Sequence, residues 1–237
     1  RGDWSGRCSQ LDLNPPDPLP HWQLEQPLVL TWVTSDRRLS MEPFCLRAQG
    51  AAACSRQRAR IAPNTIEGIS VRARDLPVAL VAAWLPPEVN LTGTFGFELD
   101  AAHQTPRPID LTARLTADDL RIESLAAGEA IPFDVHELEV TARSEAAGFR
   151  LTGSARTGDE GRLAGTLLLD QVTSHAALAG EVSIANIDIG PLLRTVPGTL
   201  EGAGQFAGHV TLGGRADAPT LAGEIAVENG RFAHEDL

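Results

Sequence analysis

VNLTGTFGFELD, Val89 to Asp100, is the stretch that decides the fold. Val89, Leu91, Gly93, Phe95, Phe97 and Leu99 fall on one parity. Asn90, Thr92, Thr94, Glu98 and Asp100 fall on the other. Side chains alternate across a strand, so the stretch predicts a strand with one apolar and one wet face. Its inner phrase, Leu-x-Gly, returns at Leu151-Thr152-Gly153, Leu163-Ala164-Gly165, Leu178-Ala179-Gly180, Leu200-Glu201-Gly202, Leu212-Gly213-Gly214 and Leu221-Ala222-Gly223. The chain repeats one device, and its function has to come from what a row of such strands makes.

Working outward, alternation runs through Ile109, Leu111, Ala113, Leu115 and Ala117, then through Phe149, Leu151, Gly153 and Ala155. It resumes at Leu163, Gly165, Leu167 and Leu169, and at Leu178, Gly180, Val182 and Ile184. It ends with Gly202, Gly204, Phe206, Gly208, Val210 and Leu212, then Leu221, Gly223, Ile225 and Val227. Short polar turns are expected at Thr157–Gly161, Gly213-Gly214 and Asn229-Gly230, which makes neighbouring strands antiparallel. Glycines sit on the apolar parity, where they weaken a strand and let a sheet bend. The expected fold is all-β: an elongated, curved, mainly antiparallel sheet with a hydrophobic interior and two short helices. A closed barrel and a sandwich of two packed sheets are the alternatives that alternation leaves open.

The helices are expected over 75–85 and 187–196. Leu76, Leu80, Val81, Trp84 and Leu85 recur at helical spacing, and Pro86 stops them. Leu76, Val78, Val81, Leu85 and Pro86 match Ile187, Ile189, Leu192, Val196 and Pro197 at a constant offset. A unit of roughly 110 residues therefore repeats as short helix, proline turn and Leu-x-Gly strand. The organisation is an irregular β region over 1–60, a first unit over 61–180 with strands from 89, and a second from 181 to 237 with strands from 199. Trp4, Trp22 and Trp32 in the first region read as core anchors.

The net charge is −11 and no lysine occurs, which argues against nucleic acid, where phosphate neutralisation dominates affinity. Arg56, Arg58 and Arg60 read as a solvated strand face. Leu76 to Leu85 falls short of the ~18 apolar residues of a membrane-spanning helix. The chain has neither a starting methionine nor a signal peptide, so it reads as a piece of a longer protein, with any anchor outside it. Cys45 and Cys54 flank a short loop, as a hairpin-tip disulfide requires; two reduced thiols are the alternative. Cys8 is left over, and no zinc spacing occurs.

No chemistry assembles. Gly202-x-Gly204-x-x-Ala207 fits a loose dinucleotide fingerprint but lies inside an alternating strand. Asn90-Leu91-Thr92 is a sequon whose Leu91 must face inward. Asp118-Asp119 and the Glu137/Glu139 pair read as solvated edges rather than a catalytic dyad. His21, His103, His136, His175, His209 and His234 are scattered, and no G-x-S-x-G elbow occurs. The expectation is a protein that is not an enzyme and needs no metal or cofactor.

The unit LPVALVAAWLPPEVNLTGTFGFELD and its later copy IANIDIGPLLRTVPGTLEGAGQFAGHVTLGG resemble the TamB family. The ending APTLAGEIAVENGRFAHEDL resembles the strand phrase that precedes the family's C-terminal domain. Cys45 and Cys54, in PFCLRAQGAAACS, sit where relatives carry a cysteine pair. The resemblance implies a periplasmic protein of a Gram-negative bacterium, held in the inner membrane by an N-terminal helix. It implies a U-shaped β-groove, a β-taco, like that of AsmA-like and bridge-type lipid-transfer proteins. It implies a TamA-like outer-membrane barrel as partner, met by a part outside this chain. Two roles come with it: phospholipid transport to the outer membrane, and assembly and secretion of outer-membrane proteins such as autotransporters.

On that reading phospholipid acyl chains lie against Leu91, Phe95, Phe97 and Leu99, then Leu111, Leu115 and Leu151. Leu163, Leu167, Leu178 and Val182 continue the lining, with Phe206, Val210, Leu221 and Ile225 at its end. Gly93, Gly153, Gly165, Gly180, Gly202 and Gly223 leave room between them. Competing readings are a scaffold whose sheet edge templates substrate strands, and an all-β hydrolase or adhesin, which needs a polar cleft.

Overall fold

The computed structural model describes residues 2–15, 19–82, 89–126, 129–146, 148–171, 173, 175–190 and 200–234. Eight short strands come first: β1 (Trp4–Cys8), β2 (Asp12–Leu13), β3 (Trp22–Leu24), β4 (Leu28–Val33), β5 (Arg38–Met41), β6 (Cys45–Arg47), β7 (Ala52–Ser55) and β8 (Ala59–Ala62). Then come β9 (Thr65–Pro77), helix α1 (Ala79–Ala82), β10 (Val89–Gln104), β11 (Asp110–Ala126) and β12 (Glu129–Glu145). The order closes with β13 (Gly148–Thr157), β14 (Gly161–Leu169), β15 (Leu178–Asp188), β16 (Leu200–Arg215) and β17 (Ala218–His234). All belong to one unclosed, curved, antiparallel sheet.

β9 is the junction. One edge pairs with β10, and β10 to β17 follow as a meander. The other edge takes β8 along Thr65 to Glu67 and β7 along Val71 to Arg74. Two ladders of short strands run from there, β8-β5-β4-β1 and β7-β6-β3-β2. Cys45 stands directly opposite Cys54 on β6 and β7 and is disulfide-bonded to it.

The register carries the alternation across the meander. Ala73, Phe97, Leu115, Val140, Gly153, Gly165, Val182, Val210 and Gly223 form one transverse row from β9 to β17. Two residues along each strand lies a second row: Val71, Leu99, Ala113, Ala142, Leu151, Leu167, Gly180, Leu212 and Leu221. Residues directly opposed in an antiparallel pair share a face, so both rows lie on one surface.

A line of bulges bends this surface. Extra residues enter at Arg74-Asp75 on β9, Asp118-Asp119 on β11, Glu137 on β12, Ala185-Asn186 on β15 and Asn229-Gly230 on β17. Asp75, Glu137, Asn186 and Asn229 have positive φ, near +50°. A bulge bends its strand and raises the local twist, so bulges aligned across neighbouring strands make a crease. Each also resets the parity, which keeps Leu120, Val135 and Ile187 on the apolar face beyond it.

Burial follows the crease. Ala117, Leu120, Val135, Ala155 and Ile187 are buried there, while the rows beside it are half-buried over β10 to β16, with Ala73 buried at the β9 end and Leu221 and Gly223 exposed at the β17 end. Val78 and Val81, beside and within α1, pack onto Leu120, Phe95 and their neighbours. Among the described residues no large side chain is fully sealed from solvent.

An L-residue in the left-handed region costs roughly 1–2 kcal/mol, and asparagine least of the ordinary residues. Asn186→Val will therefore destabilise the sheet by about 1–2 kcal/mol, whereas Asn186→Gly will be neutral or stabilising. Urea unfolding followed by circular dichroism reads both.

Several expectations are corrected. Asp75, Leu76 and Pro77 belong to β9, because Leu76 is drawn into pairing with Phe95. The helix expected over 75–85 is reduced to Ala79–Ala82, with 83–85 outside the described residues. Ile187 and Asp188 pair with Phe206 and Gln205 as strand, not helix; 191–196 lie outside the described residues. Gly213 and Gly214 pair with Thr220 and Pro219 inside the β16–β17 ladder, and the chain reverses between Arg215 and Ala218. Asn229-Gly230 is a bulge site within β17, not a turn. Trp4 and Trp32 face each other across β1 and β4 with 52% and 37% of their surface exposed, so they do not anchor a core.

Candidate functional site

The two transverse rows are the candidate site. Nine strands contribute one residue each to each row, and no residue in either row is polar. Strand spacing of about 4.8 Å makes each row roughly 38 Å long. Over β12 to β16 the rows line an apolar cavity of about 380 Å³, walled by Leu138, Val140, Leu151, Leu163, Leu167 and Val182.

The expected lining residues all fall on this surface. Phe97, Leu115, Val182 and Val210 are in the first row; Leu99, Leu151, Leu167 and Leu221 are in the second. Leu111 pairs with Ala101, Leu163 with Ala155, Leu178 with Leu169, and Ile225 with Gly208. Phe206 stands between Ile187 and Val227. Leu91, Phe95 and Leu163 lie on the same apolar face but pack against the buried cluster at the crease, and of these Leu163 also walls the apolar cavity. Leu221 and Ile225 are the most open, 69% and 59% exposed, on β17, which pairs with β16 alone among the described residues.

The glycines divide by role. Gly93 has φ +121° at the crease, and a Cβ there would come within 2.7 Å of the Asp119 carbonyl. Gly153 faces Gly165. Gly180 lies between Leu167 and Leu212, Gly223 beside Val210, and Gly202 opposite Phe232 in register. Val71, Ala73, Ala113, Val140, Ala142 and Leu212 complete the rows, and periodicity alone did not single them out as lining.

The opposite surface is wet and charge-paired. Arg72 donates to Glu98, and Arg114 donates to Glu139 at 2.7 Å. Arg156 donates to Glu137 at 3.0 Å. The Arg150 guanidinium hydrogen-bonds Glu145 and holds its carboxyl below the usual carboxylate range. Arg58 pairs with Glu42, and Arg60 with Glu67 at 3.6 Å. With Arg38 and Asp36, these residues line a polar cavity of about 570 Å³ on β4, β5, β8 and β9. Of the three arginines read as a solvated strand face, Arg58 and Arg60 thus meet carboxylates. Asp118 and Asp119 are exposed at their bulge, with Asp119 against His136 Nδ1.

His209 faces Ser183 on the wet surface, with Oγ···Nδ1 3.4 Å. Arg215 donates to Asp217 at 3.0 Å, and His175 Nδ1 lies within hydrogen-bond distance of both, able to accept from Arg215 or donate to Asp217, where Ala176 and Ala177 meet Arg215 and Ala216. Gly202, Gly204 and Ala207 all lie within β16, which is not the strand-to-helix turn that phosphate binding needs. Among the described residues no cluster of His, Cys, Asp or Glu is arranged to hold a metal, and no helix is long and apolar enough to cross a membrane.

No solved structure matches this chain. A family model described as TamB, N-terminal domain, matches residues 1–227. That span takes in the short-strand ladders, the β9 junction, the crease and both rows as far as β17. The chain belongs to the TamB family, Gram-negative envelope proteins that work with outer-membrane partners in outer-membrane assembly or lipid transport.

Proposed function

We propose that the apolar rows shield the acyl chains of phospholipids on their way from the inner to the outer membrane. The observation that carries this reading is the pair of rows: continuous over nine strands, free of polar side chains, and only half-buried over β10 to β16. A packed sandwich would seal that surface; the uncovered rows leave it for an apolar occupant. Each methylene withdrawn from water contributes about 0.8 kcal/mol. One leaflet's tails span about half of a ~30 Å hydrocarbon core, so a row of roughly 38 Å holds lipids in file. The protein makes and breaks no bond in this role. A TamA-like barrel takes the lipid or anchors the bridge, through a part outside these residues, in the periplasm.

Photocrosslinking tests the proposal. A diazirine side chain replaces Leu151, whose side chain lies in the second row, and Thr152 serves as the exposed control. Phe95 is the poorer probe, because it packs on Leu120 and Val78. Phospholipid adducts are expected at 151 and not at 152. Adducts at 151 only to residues of the same chain would mean a closed β core and overturn the conduit.

A further inference from the structure

The rows are not evenly lined. In the first row Gly153 on β13 faces Gly165 on β14, between Val140 and Val182. The 380 Å³ apolar cavity opens over this pair. The two glycines differ in why they are glycine. A Cβ at Gly165 would stand 2.9 Å from the Glu181 carbonyl oxygen and 3.2 Å from Val182 Cγ2, so close packing of the strands excludes a side chain. A Cβ at Gly153 would meet Val140 Cγ2 at 3.7 Å and the Glu139 carbonyl oxygen at 3.8 Å, both ordinary contacts. Gly153 is also absent from the positive-φ glycines. Neither backbone nor packing requires glycine there, yet a glycine inside a strand weakens it. What a side chain at 153 would do is occupy the cavity.

We infer that Gly153 keeps open a seat for the bent part of a cis-unsaturated acyl chain. The inference rests on the acyl-chain reading above. A straight chain lying along the rows would bridge the recess and leave a void beneath it, and a void forfeits the dispersion contacts of its walls. A chain that bends at a cis double bond drops into the recess and touches Val140, Leu151, Leu163 and Val182. Gly153 is thus a specificity-determining position that discriminates by shape, with no polar contact.

The test uses the full-length protein with Gly153→Val and Gly153→Ala. Each protein is loaded from vesicles of equal parts distearoyl- and dioleoyl-phosphatidylglycerol, whose chains have the same number of carbons, and re-isolated. Bound lipid is then quantified by mass spectrometry, with thermal midpoints measured alongside. The wild type is expected to hold the dioleoyl lipid in about fourfold excess, the worth of one buried methylene. Gly153→Val should bring the ratio to that of the vesicles while its midpoint stays or rises, and Gly153→Ala should fall between. If the valine variant fails to fold, the alanine variant decides, because its methyl makes only van der Waals contact. Lipid bound without preference by the wild type, or with an unchanged ratio in the variants, overturns the seat and leaves the groove intact. A wild type that takes up neither lipid overturns the acyl-chain reading itself.

Discussion

Leu167→Asp will empty the groove and leave the fold standing. Leu167 lies in the second row between Leu151 and Gly180, and it is half-buried. In the unoccupied groove an aspartate there still reaches water, so its charge stays solvated. The loss is then mainly the leucine's contacts, about 1 kcal/mol at a half-exposed site. With an acyl chain in place the same carboxylate faces hydrocarbon on one side and apolar side chains on the other. An unpaired charge in such surroundings costs several kcal/mol, which exceeds what a few methylenes return at about 0.8 kcal/mol each. Lipid adducts at Leu151 should fall by about tenfold or more, the factor that 1.4 kcal/mol represents, while the thermal midpoint moves by a few degrees. Thr152→Asp, on the wet surface, should change neither. Unfolding by Leu167→Asp alone would mean that the rows face a closed core.

The sheet was legible because its strands are long and their alternation is simple. Val89 to Asp100 reads correctly residue by residue, and the strands around Leu151, Leu167, Val182 and Val210 read from the same period. β12 was not legible. Phe133 and Val135 stand on one parity, and Leu138, Val140 and Ala142 on the other, because Glu137, next to His136, slips the phase. A search for unbroken alternation divides that strand into pieces too short to name. The same polar pair between apolar residues marks Arg74-Asp75 and Asp118-Asp119. These pairs read in isolation as wet turns or edges; in register with one another they are the crease.

The helices were over-read for a related reason. Leu76 and Ile187 each follow a phase slip, at Asp75 and Asn186. An apolar residue displaced by one from a period of two imitates the spacing of a helix. Local chemistry at Gly213-Gly214 and Asn229-Gly230 predicts turns, and pairing overrides it: Gly213 and Gly214 stay in unbroken register up to the reversal after Arg215, and the positive φ of Asn229 belongs to a bulge. The rows themselves, which make the candidate site, depend on register. Register joins residues far apart in the chain, and no single strand announces that Val140 stands between Leu115 and Gly153.

Leu120→Asp will do what Leu167→Asp does not, and abolish the fold. Leu120 follows the Asp118-Asp119 bulge and is 8% exposed, within the cluster of Val78, Ala117, Val135 and Ala155. Truncation to alanine at such a site costs about 2–4 kcal/mol, transfer and cavity together. Aspartate adds a carboxylate with no cation in that cluster, for several kcal/mol more. Against a total stability of about 5–15 kcal/mol, Leu120→Asp should leave no cooperative urea transition. Leu120→Ala should lower the midpoint clearly, and Leu167→Ala should lower it far less, by about 1 kcal/mol. The contrast follows from the crease. Where the sheet bends, its own strands shield the apolar face; away from the bend, leucines of the same face stand half-open. Equal losses at 120 and 167 would mean that both are sealed, and the open rows would be a core instead of a conduit. Unequal losses mean that one apolar face is divided along its bulge line into a part that holds the fold and a part left free to hold something else.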